Sequence, residues 1–344
     1  MPAPAMRQCM AGPYHSGPMA TETLHIRPFE PGDLDGASAL LADRHRRHRQ
    51  AEPLLDRAYE GAAAARAEIE KLLAVEGAGG WAAVRGDALA GYLVGIGKSV
   101  ETWGPNVWIE AAGHAADDRA VVRELYAAGA AAWMAEGRND HHVLVPATDA
   151  ALVDAWFSLD FGQQHLHAVR EVPPASAGVV PHSELVIRRP TRADLPALAE
   201  LELVLPRHSH TSPMLSFIPI QPIDEVEAEL AEDFDDPKYT FFVAEHDGAV
   251  VGSAIACDLS VSGSNSSLIR PASAGFLGYA AVLPEARGLG AGKALGETVL
   301  GWARDAGYAV IATDWRSTNV QADRSWRGLG FRPTFRRLHR YVAT

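Results

Sequence analysis

Starting at Leu24, the run "LHIRPFEPGDLDGASALL" alternates apolar and polar residues, turns at prolines, then places apolar residues three and four apart. A period of two marks a half-buried strand and a period near 3.6 an amphipathic helix. Starting at Leu185, "LVIRRPTRADLPALAELE" repeats the order of strand, arginine, proline-containing turn, Asp-Leu and helix. "WAAVRGDALAGYLVG" from Trp81 and "FFVAEHDGAVVGSAIA" from Phe241 each predict a hairpin around a charged, glycine-containing turn. Near the end of each half an aromatic stands five residues before a phenylalanine, Trp156 before Phe161 and Trp326 before Phe331.

The chain is thus two copies of one pattern: strand, helix, helix, hairpin, strand, helix, strand, helix, strand. The offset grows from about 160 to about 170 residues, so the second copy carries a longer loop. Residues 260–275, rich in Ser and Gly and without periodicity, fit that insertion. We expect a disordered leader over 1–20, a first domain over 21–172, a Pro-containing linker over 173–184 and a second domain over 185–344. The second copy ends most clearly. A strand "GFLGYAAV" precedes the helix "GAGKALGETVLGWARDAG", closed by Gly307. The buried strand "YAVIATDW", a short helix opened by Asn319 and the strand "RLHRYV" follow.

A length of 344 residues suits two domains of ordinary size, and 47% apolar with 22% charged residues is ordinary globular composition. The net charge of -12 and the lack of a basic stripe argue against nucleic acid as a partner. "RHRRHR" at 44–49 reads as a solvated helix face. Cys9 and Cys257 lie far apart without metal-ligand spacing, which predicts inert, reduced thiols and no metal. No run has the length of a membrane span, and the first twenty residues lack the apolar core of a secretory signal. Met19 is an alternative start. These features predict a cytoplasmic protein.

"VLPEARGLGAGKAL" at 282–295 leads from a strand through three glycines into a helix. A helix N-terminus offers free N–H groups and partial positive charge, and glycines let it approach an anion such as a pyrophosphate. The spacing of Gly288, Gly290 and Gly292 is not that of a dinucleotide-binding fingerprint, and Lys293 precedes Ala294 where a P-loop needs Ser or Thr. The stretch resembles motif A of the GNAT acyltransferase superfamily, V-x-P-x-x-(Q/R)-x-x-G-x-G/A, through Val282, Pro284, Arg287, Gly290 and Gly292. The superfamily's second signature follows as Asn319, Ala322, Trp326, Gly330 and Phe331. The resemblance spans nearly the whole chain. It implies an α/β fold of two tandem GNAT domains, each a mixed, mostly antiparallel central sheet flanked by helices.

The resemblance also implies roles. Backbone groups of Ala280, Ala281 and Val282 would bind the pantetheine arm of acetyl-CoA, the co-substrate. Arg287 and the N–H groups of Gly288, Leu289, Gly290, Ala291, Gly292 and Lys293 would hold its pyrophosphate. Asn319 and Trp326 would face the cofactor arm. An amine acceptor is mostly protonated at neutral pH and needs a base. In ribosomal-protein alanine acetyltransferases of this superfamily a glutamate five residues before the motif asparagine is that base, and Asp314 holds the position here. Asp314 reads equally as a structural carboxylate paired with Arg316 or Arg324. Many GNAT enzymes place a tyrosine acid where Trp326 stands, and an indole N–H cannot serve as one. Tyr279 is the candidate replacement, or else a packed strand aromatic; Tyr341 and His339 are further candidates. His208 and His210, two apart in an expected extended loop, would point the same way, toward substrate, toward a metal given a third ligand, or simply into solvent as loop histidines.

In the first copy "DDRAVV" at 117–122 replaces the glycines, Leu144 replaces Asp314 and Asp149 replaces Asn319. The first domain therefore reads as a degenerate GNAT domain that supports the second and walls its acceptor pocket. The expected activity is transfer of an acetyl group to the amine of a small molecule by the C-terminal domain. The alternatives are O-acylation or use of another acyl-CoA, and a non-catalytic acyl-CoA-binding module. Two fused copies predict a monomer that is a pseudo-dimer, or a homodimer.

Overall fold

Each half begins with a strand whose arginine is locked to the aspartate of the next turn. In β1 (Leu24–Pro28), Arg27 grips Asp33 with two hydrogen bonds of 2.7 Å, and in β8 (Val186–Arg188), Arg188 grips Asp194 at 2.8 and 2.9 Å. This pairing is why the two Asp-Leu turns look alike in sequence. The computed structural model describes residues 23–100, 104–174, 184–216, 218–263, 265 and 267–343. The leader with Cys9, and most of the linker, lie outside them.

The first half continues with α1 (Leu34–Ala51), α2 (Ala62–Leu73), β2 (Ala78–Arg85), β3 (Ala88–Val100), β4 (Gly104–Ile109), β5 (His114–Ala116), α3 (Arg119–Ala135), β6 (Asp140–Pro146), α4 (Ala150–Phe157) and β7 (Gly162–Glu171). The second half adds α5 (Leu195–Glu202), α6 (Val204–Ser209), α7 (Ile223–Asp233), β9 (Tyr239–His246), β10 (Ala249–Asp258), β11 (Gly275–Val282), α8 (Ala291–Asp305), β12 (Val310–Arg316), α9 (Val320–Gly328) and β13 (Arg332–Tyr341). The predicted order holds in both halves except for two additions, the short strand β5 in the first and a third helix before the hairpin in the second. The aromatic pairs are matched too: Trp156 meets Phe161 edge-on at 5.0 Å and Trp326 meets Phe331 at 6.3 Å.

The tertiary arrangement departs from two separate sheets. The strands form one sheet in the order β1-β2-β3-β4-β6-β13-β7-β12-β11-β10-β9-β8, with β5 paired to β3. The order is symmetric about the antiparallel β13–β7 pair. Each half has given its last strand to the other: β13 lies against β6, and β7 against β12. A strand's face is set by alternation, so β7 sends Leu166 and Ala168 into the core beneath α8 and His165 and His167 to the opposite face. Arg332 fastens the exchange, bonding Glu52 at the end of α1 (2.9 and 3.1 Å) and Glu171 at the end of β7 (2.7 and 3.0 Å).

The 260–275 segment is the expected insertion between β10 and β11, and its Leu268 and Ile269 are buried in the first half's core beside Leu144 and Phe335. One expectation is corrected here: the 44–49 run is not a solvated face. Arg46 and Arg47 reach solvent, but Arg44, His45 and His48 are buried at 3% exposure or less. Positions 44, 45 and 48 share one side of a helix, and that side faces the sheet.

Because each half is completed by the other's last strand, residues 23–174 expressed alone would leave β6 with an unpaired inner edge and β7 without either of its strand partners. We expect this fragment to be insoluble or unfolded by circular dichroism. Co-expression with residues 184–343 should restore a soluble complex that co-purifies.

Candidate functional site

The site begins where two parallel strands part. β11 pairs with β12 only over Gly275–Leu277 and Ile311–Thr313. Beyond that point β11 runs on to Val282 and β12 to Arg316, leaving the facing edge of β11 without ladder partners from β12. The chain then turns through Gly288 (φ 92°) and Gly290 (φ 83°), left-handed conformations that a side chain would strain, and enters α8. No side chain caps this helix, so its first N–H groups face a cavity of about 500 Å³. Ala280–Val282, Arg287, Gly288, Gly290–Lys293, Asn319 and Trp326 all line that cavity. Leu289 does not; its side chain packs on the core. Asn319 also caps α9, its Oδ1 accepting from the Ala322 N–H at 3.1 Å.

An uncapped helix end, a free strand edge and two cations suit a nucleotide pyrophosphate carrying an extended amide arm. The equivalent place in the first half is closed by its own side chains. Asp118 caps α3, its carboxylate accepting from the Ala120 N–H at 2.7 Å. The carbonyls of Ala111 and His114 are taken by the buried Arg44 guanidinium, and that of Ala112 by the Tyr92 hydroxyl at 2.7 Å. His114 bridges the parted strands to the Leu144 carbonyl at 2.9 Å. The backbone groups at this place are thus already bonded by the chain's own side chains.

The other expected residues are placed differently. Asp314 is absent from the cavity lining and pairs with neither Arg316 nor Arg324 in the hydrogen bonds found. Its Oδ1 meets His165 Nε2 at 3.0 Å and its Oδ2 accepts from Asn265 Nδ2 at 2.9 Å. Burial works to raise its pKa, but the His165 bond, the adjacent His165 and His167 and the Asn265 bond outweigh it and hold the carboxyl well below the usual range. Burial lowers the pKa of His165 more than Asp314 raises it, so the ring is neutral near pH 7. Its second nitrogen, Nδ1, is buried without a hydrogen-bond partner among the described residues. His165 and Asn265 could not be found from the motif, because they come from the first half's lent strand and from the insertion.

Tyr279 donates its hydroxyl proton to the carbonyls of Leu201 (2.5 Å) and Glu202 (3.2 Å) at the end of α5 and does not line the cavity. This matches the packed-aromatic alternative. The expected extended loop at 208–210 is a helix instead: His208 sits in α6 and His210 ends it. Two residues apart on a helix point to different sides, so His208 lines the cavity beside Arg287 while His210 Nε2 bonds the Ile218 carbonyl at 2.8 Å. Tyr341 is largely exposed at the end of β13, and His339 bonds Asp140. Cys257 is buried, which pushes its thiol up to about 11. Among the described residues no helix is long and apolar enough to cross a membrane.

Residues 208–331 match the acetyltransferase (GNAT) family. The chain is 35% identical over 153 residues, 44% of its length, to the aminoglycoside N(6')-acetyltransferase type 1 of Stenotrophomonas maltophilia, covering 88% of that protein. The fold is similar to that of a GCN5-related N-acetyltransferase from Sphaerobacter thermophilus, with a TM-score of 0.56 at 14% identity over 93% of this chain and 97% of that one. It is also similar to a GCN5-related glucosamine N-acetyltransferase region of a fungal multi-domain β-N-acetylglucosaminidase, with a TM-score of 0.53 at 13% identity over 94% of this chain and 38% of that one.

Buried neutral histidines make the fold acid-sensitive. Burial depresses His48 and His114 to about 3 and His167 to about 4, from an ordinary 6.5. Below pH 6.5 the unfolded chain takes up protons that the folded chain refuses, so stability falls as pH drops from 6.5 toward these values. Urea unfolding at pH 7.5, 5.5 and 4.5 should show a falling midpoint with little change in slope.

Proposed function

Since the chain belongs to the GNAT acetyltransferase family, we propose that it moves the acetyl group of acetyl-CoA to a primary amine of a small molecule, using its C-terminal half alone. The observation that carries this reading is the contrast between the halves. The cavity at α8 has an uncapped helix end and a free strand edge, whereas Arg44, His114 and Asp118 fill the first half's counterpart. In this reading residues 21–172 are a degenerate domain, and residues 185–344, completed by β7, are the catalytic one.

Acetyl-CoA supplies an acetyl group already activated as a thioester. The chain's residues supply position, polarisation and a proton acceptor. The α8 N-terminus, Arg287 and Lys293 hold the pyrophosphate, and the edge of Ala280–Val282 aligns the pantetheine arm. Backbone N–H groups on the parted stretch of β11 polarise the thioester carbonyl. Asp314 is a poor base in its own right, because both oxygens are hydrogen-bonded and its pKa is low. It acts through His165: accepting from Nε2–H, it fixes the tautomer that leaves a lone pair on Nδ1, and because this buried atom lines neither cavity the ammonium proton reaches it through a water. Trp326 cannot protonate the departing thiolate, which takes its proton from water. The aminoglycoside-modifying relative and the acidic balance of the chain support a cationic amine as acceptor.

A thiol-release assay with acetyl-CoA against aminoglycosides, amino sugars, polyamines and amino acids tests the reading. Turnover on one class is expected; CoA binding by calorimetry with no thiol release would leave a binding module. Gly290→Asp puts a carboxylate at the anion site and should abolish acetyl-CoA binding. Asp314→Asn and His165→Gln should each lower turnover by about 10²–10⁴-fold while the Kd for acetyl-CoA holds. Unchanged turnover in both would remove the pair from proton transfer.

A further inference from the structure

A second cavity of about 370 Å³ lies on the face of the sheet that carries His165 and Asp314. Two chain segments join it to the first cavity. At the end of β12, Arg316 and Thr318 line it while the next residue, Asn319, lines the other. After α6, Leu215 and Ser216 line it while His208 lines the other, and the Ser216 N–H folds back onto the Ser209 carbonyl at 2.9 Å. The far wall comes from the strands at the seam, β6, β13 and β7. Its one carboxylate among the lining residues is Asp140, a first-half residue.

Asp140 is built to stay charged. His142 Nε2 lies 3.4 Å from its Oδ1, and His339 Nε2 bonds the same oxygen. Burial works to raise the pKa of Asp140, but the histidine bonds and charges hold it below the usual carboxylate range. His142 is stacked between Trp108 (4.5 Å) and His339 (4.8 Å), which fixes the group. Beside it, Arg336 and Arg337 hold the side-chain oxygens of Gln163 and Gln164 at 2.7 and 2.8 Å, so both amide NH₂ groups remain to donate. Arg316 on β12 is in register, through His165 and Arg337, with Leu144 on β6, so Asp140 lies three strand spacings across and four residues along from it, roughly 19 Å between backbones.

We propose that this cavity is the acceptor site and that it selects a hydroxyl-rich molecule with at least two amino groups: one reacts beside β12, and a second ammonium is anchored by Asp140 at the first half's wall. The inference rests on the transfer reading above for which amine reacts, but not for binding. An isolated amine would reach the β12 end without using Asp140. A diamine or polyamine of sugar size spans the cavity, with its hydroxyls against Gln163, Gln164, Ser216 and Thr318.

The test uses the full chain, with kanamycin as a polyamine rich in hydroxyls and glucosamine as an amine without a second ammonium. Asp140→Asn should raise the KM for kanamycin about ten- to a hundredfold while the KM for acetyl-CoA holds, and the penalty should vanish with glucosamine. Leu215→Arg, on an exposed stretch of the cavity wall, adds a cation without disturbing the core and should raise the same KM. Equal KM values for kanamycin in wild type and both variants would overturn the proposal. So would stoichiometric Zn²⁺ uptake lost in His339→Ala, since Asp140 and the histidines would then hold a metal. If no amine is acetylated, calorimetry with kanamycin alone still decides: heat that Asp140→Asn removes supports the site, and no heat in wild type overturns it.

Discussion

The antiparallel pair of β7 and β13 is the constraint on which the remaining architecture depends. It joins the two halves into one sheet and fixes their register, and it puts a strand of each half inside the other. Backbone pairing along this seam runs from Arg332 to His339 with two irregularities, at Pro333/Phe335 and Arg337/Leu338, and a slip of one residue in the regular stretches would turn a buried face outward. Arg332, bound to carboxylates from both α1 and β7, holds the same register from the edge. Residues such as His165 and Asp140 thereby sit within reach of second-half elements with the precision of a sheet.

On this symmetric frame the two grooves have opposite fates. In the second half the parted strands leave backbone groups free and a helix end uncapped. In the first half Arg44 satisfies two carbonyls at once, Tyr92 a third, and Asp118 the helix end. Following the pairing through the symmetry, Leu144 stands where Asp314 does and Phe335 where His165 does, and both belong to an apolar core sealed by Leu268 and Ile269 from the insertion. The extra loop of the second copy therefore packs into the first copy's core, beside a groove that first-half side chains already close. At the same time its Asn265 holds Asp314 in the second.

The sequence made the elements and the cradle legible because both are local. Periodicity marks strand and helix, and glycines before a helix mark an anion site within one continuous stretch. What it hid is what depends on distant partners. His165 and Asp314 are 149 positions apart, and nothing near either names the other. Arg44 sits in a run of arginines and histidines that reads as solvated, and only the helix's position against the sheet separates buried Arg44 from exposed Arg46 and Arg47. The exchange of last strands was equally invisible, since a strand's own residues do not say which copy it will join. His208 and His210 depart from the expected extended loop because the family's position for a helix connection is taken here by a short helix, Val204–Ser209.

The exchange also has a consequence for synthesis. The first half cannot finish its sheet when its own residues have emerged from the ribosome, because the strand that belongs beside β6 spans Arg332–Tyr341. At about 5–20 residues per second, the interval from Pro146 to Arg332 leaves the inner edge of β6 waiting roughly 10–40 seconds. During that interval the nascent chain carries an open strand edge of the kind that recruits stray partners. Until translation has passed β13, the first half therefore keeps an edge open that only the chain's own last strand closes.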